Sequence, residues 1–284
     1  MLTDLAMLAL GLVILLLAGD ALVKGAVNLA LRAGIPAMLV SLTIVAFGTS
    51  APELLVSVKA ILNGAAGIAL GNVVGSNIAN VLLVLGVPAL LTGLHTSVCD
   101  SRKTYMMIMI ATFLFIGLAY TNLFNWIDGS ILLFGLALML GDAVRTAQLH
   151  RRERETALAA AEIAGGCSAI ADEEEEVEGA DDSVPNWKIW LYLGLGLVGL
   201  PLGADLLVDA AVNIAHDLNV PETVIGLTLV ALGTSLPELA TTVMAAIRGH
   251  TEVAIGNVIG SNLFNMLAII GIASFVGDIP VDPQ

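Results

Sequence analysis

The chain has 284 residues, 57% of them apolar and only 13% charged, with a mean hydropathy of +0.93. A soluble domain averages about 45–50% apolar and about 25% charged, so this chain cannot cover itself with polar groups, and lipid must be its solvent. The formal charge of −14 excludes nucleic acid as a partner by sign; beyond that it mainly describes one stretch, because eight of the 25 acids lie between Asp172 and Asp182.

The apolar runs are about twenty residues long and lack the alternation of a barrel strand, which predicts an all-α integral membrane protein. Eight spans are expected, at 5–27, 38–62, 66–92, 104–121, 127–147, 187–210, 221–247 and 252–276. The first run is followed by many others, so it reads as a transmembrane helix and not a cleaved signal. Residues 148–186 form the one long connection. It carries Arg151, Arg152 and Arg154, then the acidic run, and has too few large apolar residues to bury a core, so a mobile linker is expected. The acidic run lacks the spacing of a calcium loop and reads as a solvated stretch. Cys99 and Cys167 have neither metal spacing nor a disulfide framework. His95, His150, His216 and His250 fall at loops or span ends, where solvated side chains are expected.

An offset of 185 aligns the two ends of the chain without a gap. Asp20 meets Asp205, Asn28 meets Asn213, Pro36 meets Pro221, Glu53 meets Glu238, Asn72 meets Asn257, Ser76 meets Ser261 and Asn80 meets Asn265; from 20 to 86, 31 of 67 pairs are identical. This is a duplication. Five spans separate equivalent points, and an odd number turns the second copy upside down, the inverted-repeat plan of secondary transporters. The expected units are therefore 1–147, a first repeat of five spans; 148–186, a cytoplasmic acidic linker; and 187–284, a second, inverted repeat of three spans. With the N-terminus outside, ten of the eleven Lys and Arg residues lie at or near the cytoplasmic face and only Lys59 falls outside, as the positive-inside rule requires. Because 284 minus 185 is 99, the second copy stops at the equivalent of Cys99, and counterparts of the spans 104–121 and 127–147 are expected to be missing from it.

Each copy carries one motif in mid-span: Gly48-Thr49-Ser50-Ala51-Pro52-Glu53-Leu54 and Gly233-Thr234-Ser235-Leu236-Pro237-Glu238-Leu239. A carboxylate at membrane depth is costly and by default functional. The proline cannot donate and clashes with the carbonyl four residues earlier, which predicts freed carbonyls around Ala46–Gly48 and Ala231–Gly233. Thr49, Ser50, Thr234 and Ser235 add hydroxyls, and Glu53 is expected to share one helix face with Thr49 and Ser50. The next span of each copy adds Gly71-Asn72 through Asn80, matched by Gly256-Asn257 through Asn265; Ser76 and Asn80 point the same way, as do Ser261 and Asn265. Two carboxylates with hydroxyls, amides and carbonyls, and no thiolate or imidazole, make a hard-cation site of the calcium or sodium kind. Asp20 and Asp205 read equally as gating groups and as helix caps. No nucleophile, base and orienter set appears, so no enzyme and no cofactor are expected.

These motifs resemble the alpha-repeats of the calcium/cation antiporter superfamily, and the chain looks like a prokaryotic sodium/calcium exchanger. The resemblance covers nearly the whole chain. It implies ten helices in two inverted repeats, with the second, third, seventh and eighth spans around a central ion site. The ligands it implies are the carbonyls of Ala46 and Ala231 and the side chains of Thr49, Ser50, Glu53, Thr234, Ser235, Glu238, Ser76, Ser261, Asn80 and Asn265. Exchangers of this family can have an aspartate at the position of Asn265; here both Asn80 and Asn265 are amides, so the site carries two carboxylates. The expected activity is exchange of Ca²⁺ for Na⁺ by alternating access in the plasma (inner) membrane, with the lipid bilayer and these ions as the only partners, apart from a complementing helix pair. Two other readings stand beside it: a proton-coupled, potassium-dependent or other divalent-cation exchanger of the same fold, and a truncated, non-transporting cation-binding fragment.

Overall fold

The computed structural model describes residues 2–93, 101–163, 184–218 and 231–281. Its helices, in chain order, are α1 (Leu2–Ala33), α2 (Ala37–Thr49), α3 (Ala51–Leu62), α4 (Ala66–Thr92), α5 (Ser101–Ala119), α6 (Trp126–Ile163), α7 (Asn186–Asp217), α8 (Leu236–Ile247) and α9 (Thr251–Val276). A two-residue antiparallel ladder pairs β1 (Leu123–Phe124) with β2 (Ile279–Pro280), so the turn before α6 is tied to the segment after α9.

Among the described residues, six helices are long and apolar enough to cross a membrane, and the α2–α3 pair, bent by 42°, makes a seventh as a broken span. Of the expected span at 221–247, residues 221–230 lie outside the described residues, as do Cys99, Cys167 and the acidic run. The expected linker at 148–186 needs correction at its start: α6 continues to Ile163. Residues 151–163 are mostly Ala, Glu and Arg, strong helix formers that propagate a helix already nucleated in the membrane. His250 is also a correction. It is buried at the start of α9, with its N–H on the Ala245 carbonyl, and not solvated.

Large apolar side chains such as Leu10, Phe47, Leu82, Phe113 and Trp190 stay exposed, which suits a protein whose solvent is lipid. The protein-facing interior forms around α9, which is mostly buried, whereas α4, its counterpart at the offset of 185, is exposed or half-buried over most of its length. The α5–α6 hairpin covers α9 through Ala111, Phe115, Leu132 and Met139, packed with Met266, Leu267, Ile269 and Ile270. On the other side, α1 and α7 lie backbone to backbone, because glycine leaves no Cβ between them; one added to Gly196 would sit 2.5 Å from the Leu22 Cβ.

Candidate functional site

Both mid-span motifs break their helix at the serine. Ser50 has φ −85° and ψ 5°, Ser235 has φ −90° and ψ 3°, and each precedes a helix with proline in its first turn. Pro52 has no N–H for the Gly48 carbonyl, so a new helix starts there with its N–H groups beside Glu53. The Ala46 carbonyl, expected to be free, is not: it accepts the Ser50 N–H at 3.0 Å and the Thr49 hydroxyl at 3.3 Å. The break also changes which groups face each other. Thr49 and Ser50 were expected on the face of Glu53, yet the bend turns them toward the other copy. The Ser50 hydroxyl donates to Glu238 Oε1 at 3.2 Å, and Thr49 Oγ1 lies 3.4 Å from both Ser261 Oγ and Asn257 Oδ1.

The structure brings the predicted residues together. Glu53, Glu238, Asn80, Asn265 and Ser261 are fully buried, with Thr49, Ser50, Ser76 and Ser235 nearly so. Thr234 precedes Ser235 at the break and is half-buried; Ala46 is fully buried one turn before Ser50, and Ala231 begins the short helical turn Ala231–Gly233 that precedes α8. Among the described residues, several oxygens in this centre have no hydrogen-bond partner: both of Glu53, Oε2 of Glu238, the hydroxyls of Ser76 and Ser235, and the amide oxygens of Asn77, Asn80 and Asn265. Buried polar atoms are nearly always paired, and an unpaired carboxylate away from water costs several kcal/mol. Such a concentration of acceptors is what a cation would satisfy. Among the described residues no cluster of three or more His, Cys, Asp or Glu side chains occurs, so the donors are carboxylate, hydroxyl and amide oxygens.

Sequence reasoning missed the groups that hold the carboxylates. Asn72 Nδ2 donates to Ser57 Oγ at 3.1 Å and to the Glu53 carbonyl at 3.2 Å. Asn257 does the same in the second copy, to Thr242 Oγ1 at 3.1 Å and the Glu238 carbonyl at 3.4 Å. Their four-residue spacing from Ser76 and Ser261 was the available signal, since it puts them on the site face of their helices. Where the copies meet, Asn80 Nδ2 reaches Asn262 Oδ1 at 3.0 Å and Asn77 Nδ2 the Asn262 carbonyl at 3.3 Å. Among the described residues, three π-helical turns were also missed: Ser41–Val45, Asn80–Val84 and Phe264–Ile269. Such turns concentrate at functional sites, and two of them contain the amides Asn80 and Asn265.

A bundle of apolar helices in which breaks at Ser50 and Ser235 bring two buried carboxylates together has the form of a membrane transporter of the secondary type. The family described as "Sodium/calcium exchanger protein" matches residues 3–141 and 188–284, and the chain belongs to it. It is 35% identical over 288 residues to "Sodium/calcium exchanger MaX1" of Methanosarcina acetivorans, covering 94% of this chain and 81% of that protein. It is 32% identical to "Inner membrane protein YrbG" of Escherichia coli K12 over 283 residues, covering all of this chain and 83% of the relative. Among solved structures it is similar to the sodium-calcium exchanger NCX_Mj soaked with Na⁺ and Ca²⁺, with a TM-score of 0.79, 30% identity, and 99% of this chain and 84% of that one covered. The chain is thus a multi-pass membrane protein with the architecture of a cation antiporter.

Proposed function

We propose that this protein exchanges Ca²⁺ for Na⁺ across the plasma (inner) membrane, with Glu53 and Glu238 as the charged ligands and Thr49, Ser50, Thr234, Ser235, Ser76, Ser261, Asn80 and Asn265 as neutral ones. The carbonyls at the two breaks, Ala46 and Ala231 among them, complete the set. The observation that carries the proposal is the group of unpaired acceptor oxygens, above all both oxygens of Glu53, in a fully buried centre built from two broken helices. The units 1–147 and 187–284 act as inverted repeats, joined by a cytoplasmic connection, with the N-terminus outside.

Charge sets the coupling. Two ionised glutamates in a low-dielectric centre repel each other and lack water, so the empty site opposes passage between its two exposures. One Ca²⁺ or two Na⁺ cancels the formal charge of −2, and a third Na⁺ would leave a net positive charge and make exchange electrogenic. That rule produces exchange and suppresses leak. The test is equilibrium calcium binding to the purified protein. Binding is expected to weaken as Na⁺ rises and to be lost in Glu53→Gln and in Glu238→Gln. Calcium binding that ignores Na⁺, or that survives in both variants, contradicts the proposal.

A further inference from the structure

Asp20 lies outside the ion site. It follows Gly19, where α1 crosses α8 so closely that a Cβ on Gly19 would stand 3.0 Å from the Ala240 carbonyl oxygen. Asp20 Oδ2 pairs with Lys24 Nζ at 3.0 Å, and Asp20 Oδ1 takes the Nε–H of Arg248, the residue just past the end of α8. The three side chains are partly buried, and they fasten α1 to the end of α8. Asp20 is therefore no helix cap.

The duplication makes this triad informative. At the offset of 185, Asp20 corresponds to Asp205, Lys24 to Asp209 and Arg248 to Asn63, so the mirror positions hold two carboxylates and an amide and supply no cation. Packing is one-sided in the same way. Ala240 is 7% exposed and Thr241 fully buried beneath α1, while their counterparts on α3, Leu55 and Val56, are 71% and 37% exposed. One copy is closed where the other is open.

In an inverted repeat, the two access states are related by exchange of roles between the copies: a contact made by one copy in one state is made by its counterpart in the other. We infer that Asp20, Lys24 and Arg248 form a one-sided latch, which favours the state with α1 closed on α8 over the mirror state, in which Asp205 would meet Asn63 in place of an arginine. The inference rests on the alternating-access reading above. It makes the two states unequal in the absence of ions, and so gives the exchanger different apparent affinities for calcium on its two faces.

The test uses spin labels at Ala33→Cys and Ile247→Cys, with Cys99 and Cys167 changed to Ser, and reads the distance between the ends of α1 and α8 by double electron–electron resonance. The short distance is expected to dominate in the parent protein. Asp20→Asn should raise the share of the long distance by about threefold, near the upper end for partly exposed ion pairs. Asn63→Arg, at the other end of the molecule, should raise the same share by giving Asp205 a partner in the mirror state, and adding Asp205→Asn should cancel that gain. Unchanged distributions overturn the latch. So does a shift in Asp20→Asn with none in Asn63→Arg, which would mean only loosened packing around α1. The distances are read without transport, so a protein that moves no calcium but shows these shifts would count against the proposed exchange and leave the latch standing.

Discussion

The supports beneath the carboxylates give a quantitative expectation. Asn257 is fully buried; its amide N–H groups reach Thr242 at 3.1 Å and the Glu238 carbonyl at 3.4 Å, and its oxygen lies 3.4 Å from the Thr49 hydroxyl. Replacing it with leucine keeps the branched shape but removes all three interactions. A net hydrogen bond is worth about 1 kcal/mol; counting the two long ones at about half, the loss is about 2 kcal/mol. If that energy fixes Glu238 for the ion, calcium affinity should fall about thirtyfold, at about 1.4 kcal/mol for each factor of ten. The assay is thermal unfolding at increasing calcium, because a ligand that binds only the folded state adds RT ln(1 + [L]/Kd). At saturating calcium for the parent protein, the stabilisation by calcium in Asn257→Leu should be about 2 kcal/mol smaller. A variant less stable without calcium yet stabilised by it as fully as the parent would refute the reasoning, since Asn257 would then support the fold and not the site.

Three further outcomes are expected. Ser50→Ala should lower ion-free stability by about 1 kcal/mol, because its hydroxyl holds Glu238, whereas Ser235→Ala, whose hydroxyl has no partner, should leave it nearly unchanged; equal losses in urea or heat unfolding would contradict the asymmetry. Gly196→Leu puts a Cβ 2.5 Å from that of Leu22 and should cost about 1–3 kcal/mol or more by forcing α1 and α7 apart, read as a lower unfolding midpoint in detergent; an unchanged midpoint would show that this contact is not tight. Asn265→Asp adds a third carboxylate to a centre whose Asn265 amide is unpaired, so it should lower ion-free stability and enlarge the stabilisation by calcium; a smaller calcium effect would place Asn265 away from the ion.

Much of this was legible in the sequence because the physics is local. A proline one residue before a glutamate in a twenty-residue apolar run removes a backbone donor beside the carboxylate, and a gapless offset of 185 shows two copies whatever their packing. Other features depended on the partner. Thr49 and Ser50 sit within a turn of Glu53 in sequence, but the break at Ser50 sends them across to Glu238, Ser261 and Asn257, and nothing along the chain reports that. The π-helical turns at Asn80 and Phe264 shift hydrogen bonds by one residue without a compositional mark. Asn72 and Asn257 stand in the sequence only as a matched pair of the repeat; their bonds to the Glu53 and Glu238 carbonyls reveal them as supports of the site. The continuation of α6 to Ile163 was hidden because the stretch has few large apolar residues to bury, although its Ala, Glu and Arg are good helix formers.

In the proposed exchange, Glu53 and Glu238 couple calcium to sodium. This coupling is tested most directly by calcium uptake into proteoliposomes loaded with Na⁺ and diluted into Na⁺-free buffer. Uptake should follow the outward sodium gradient, vanish when the gradient is collapsed, and be absent in Glu53→Gln and Glu238→Gln. Sodium-driven uptake that persists in both variants would contradict the account.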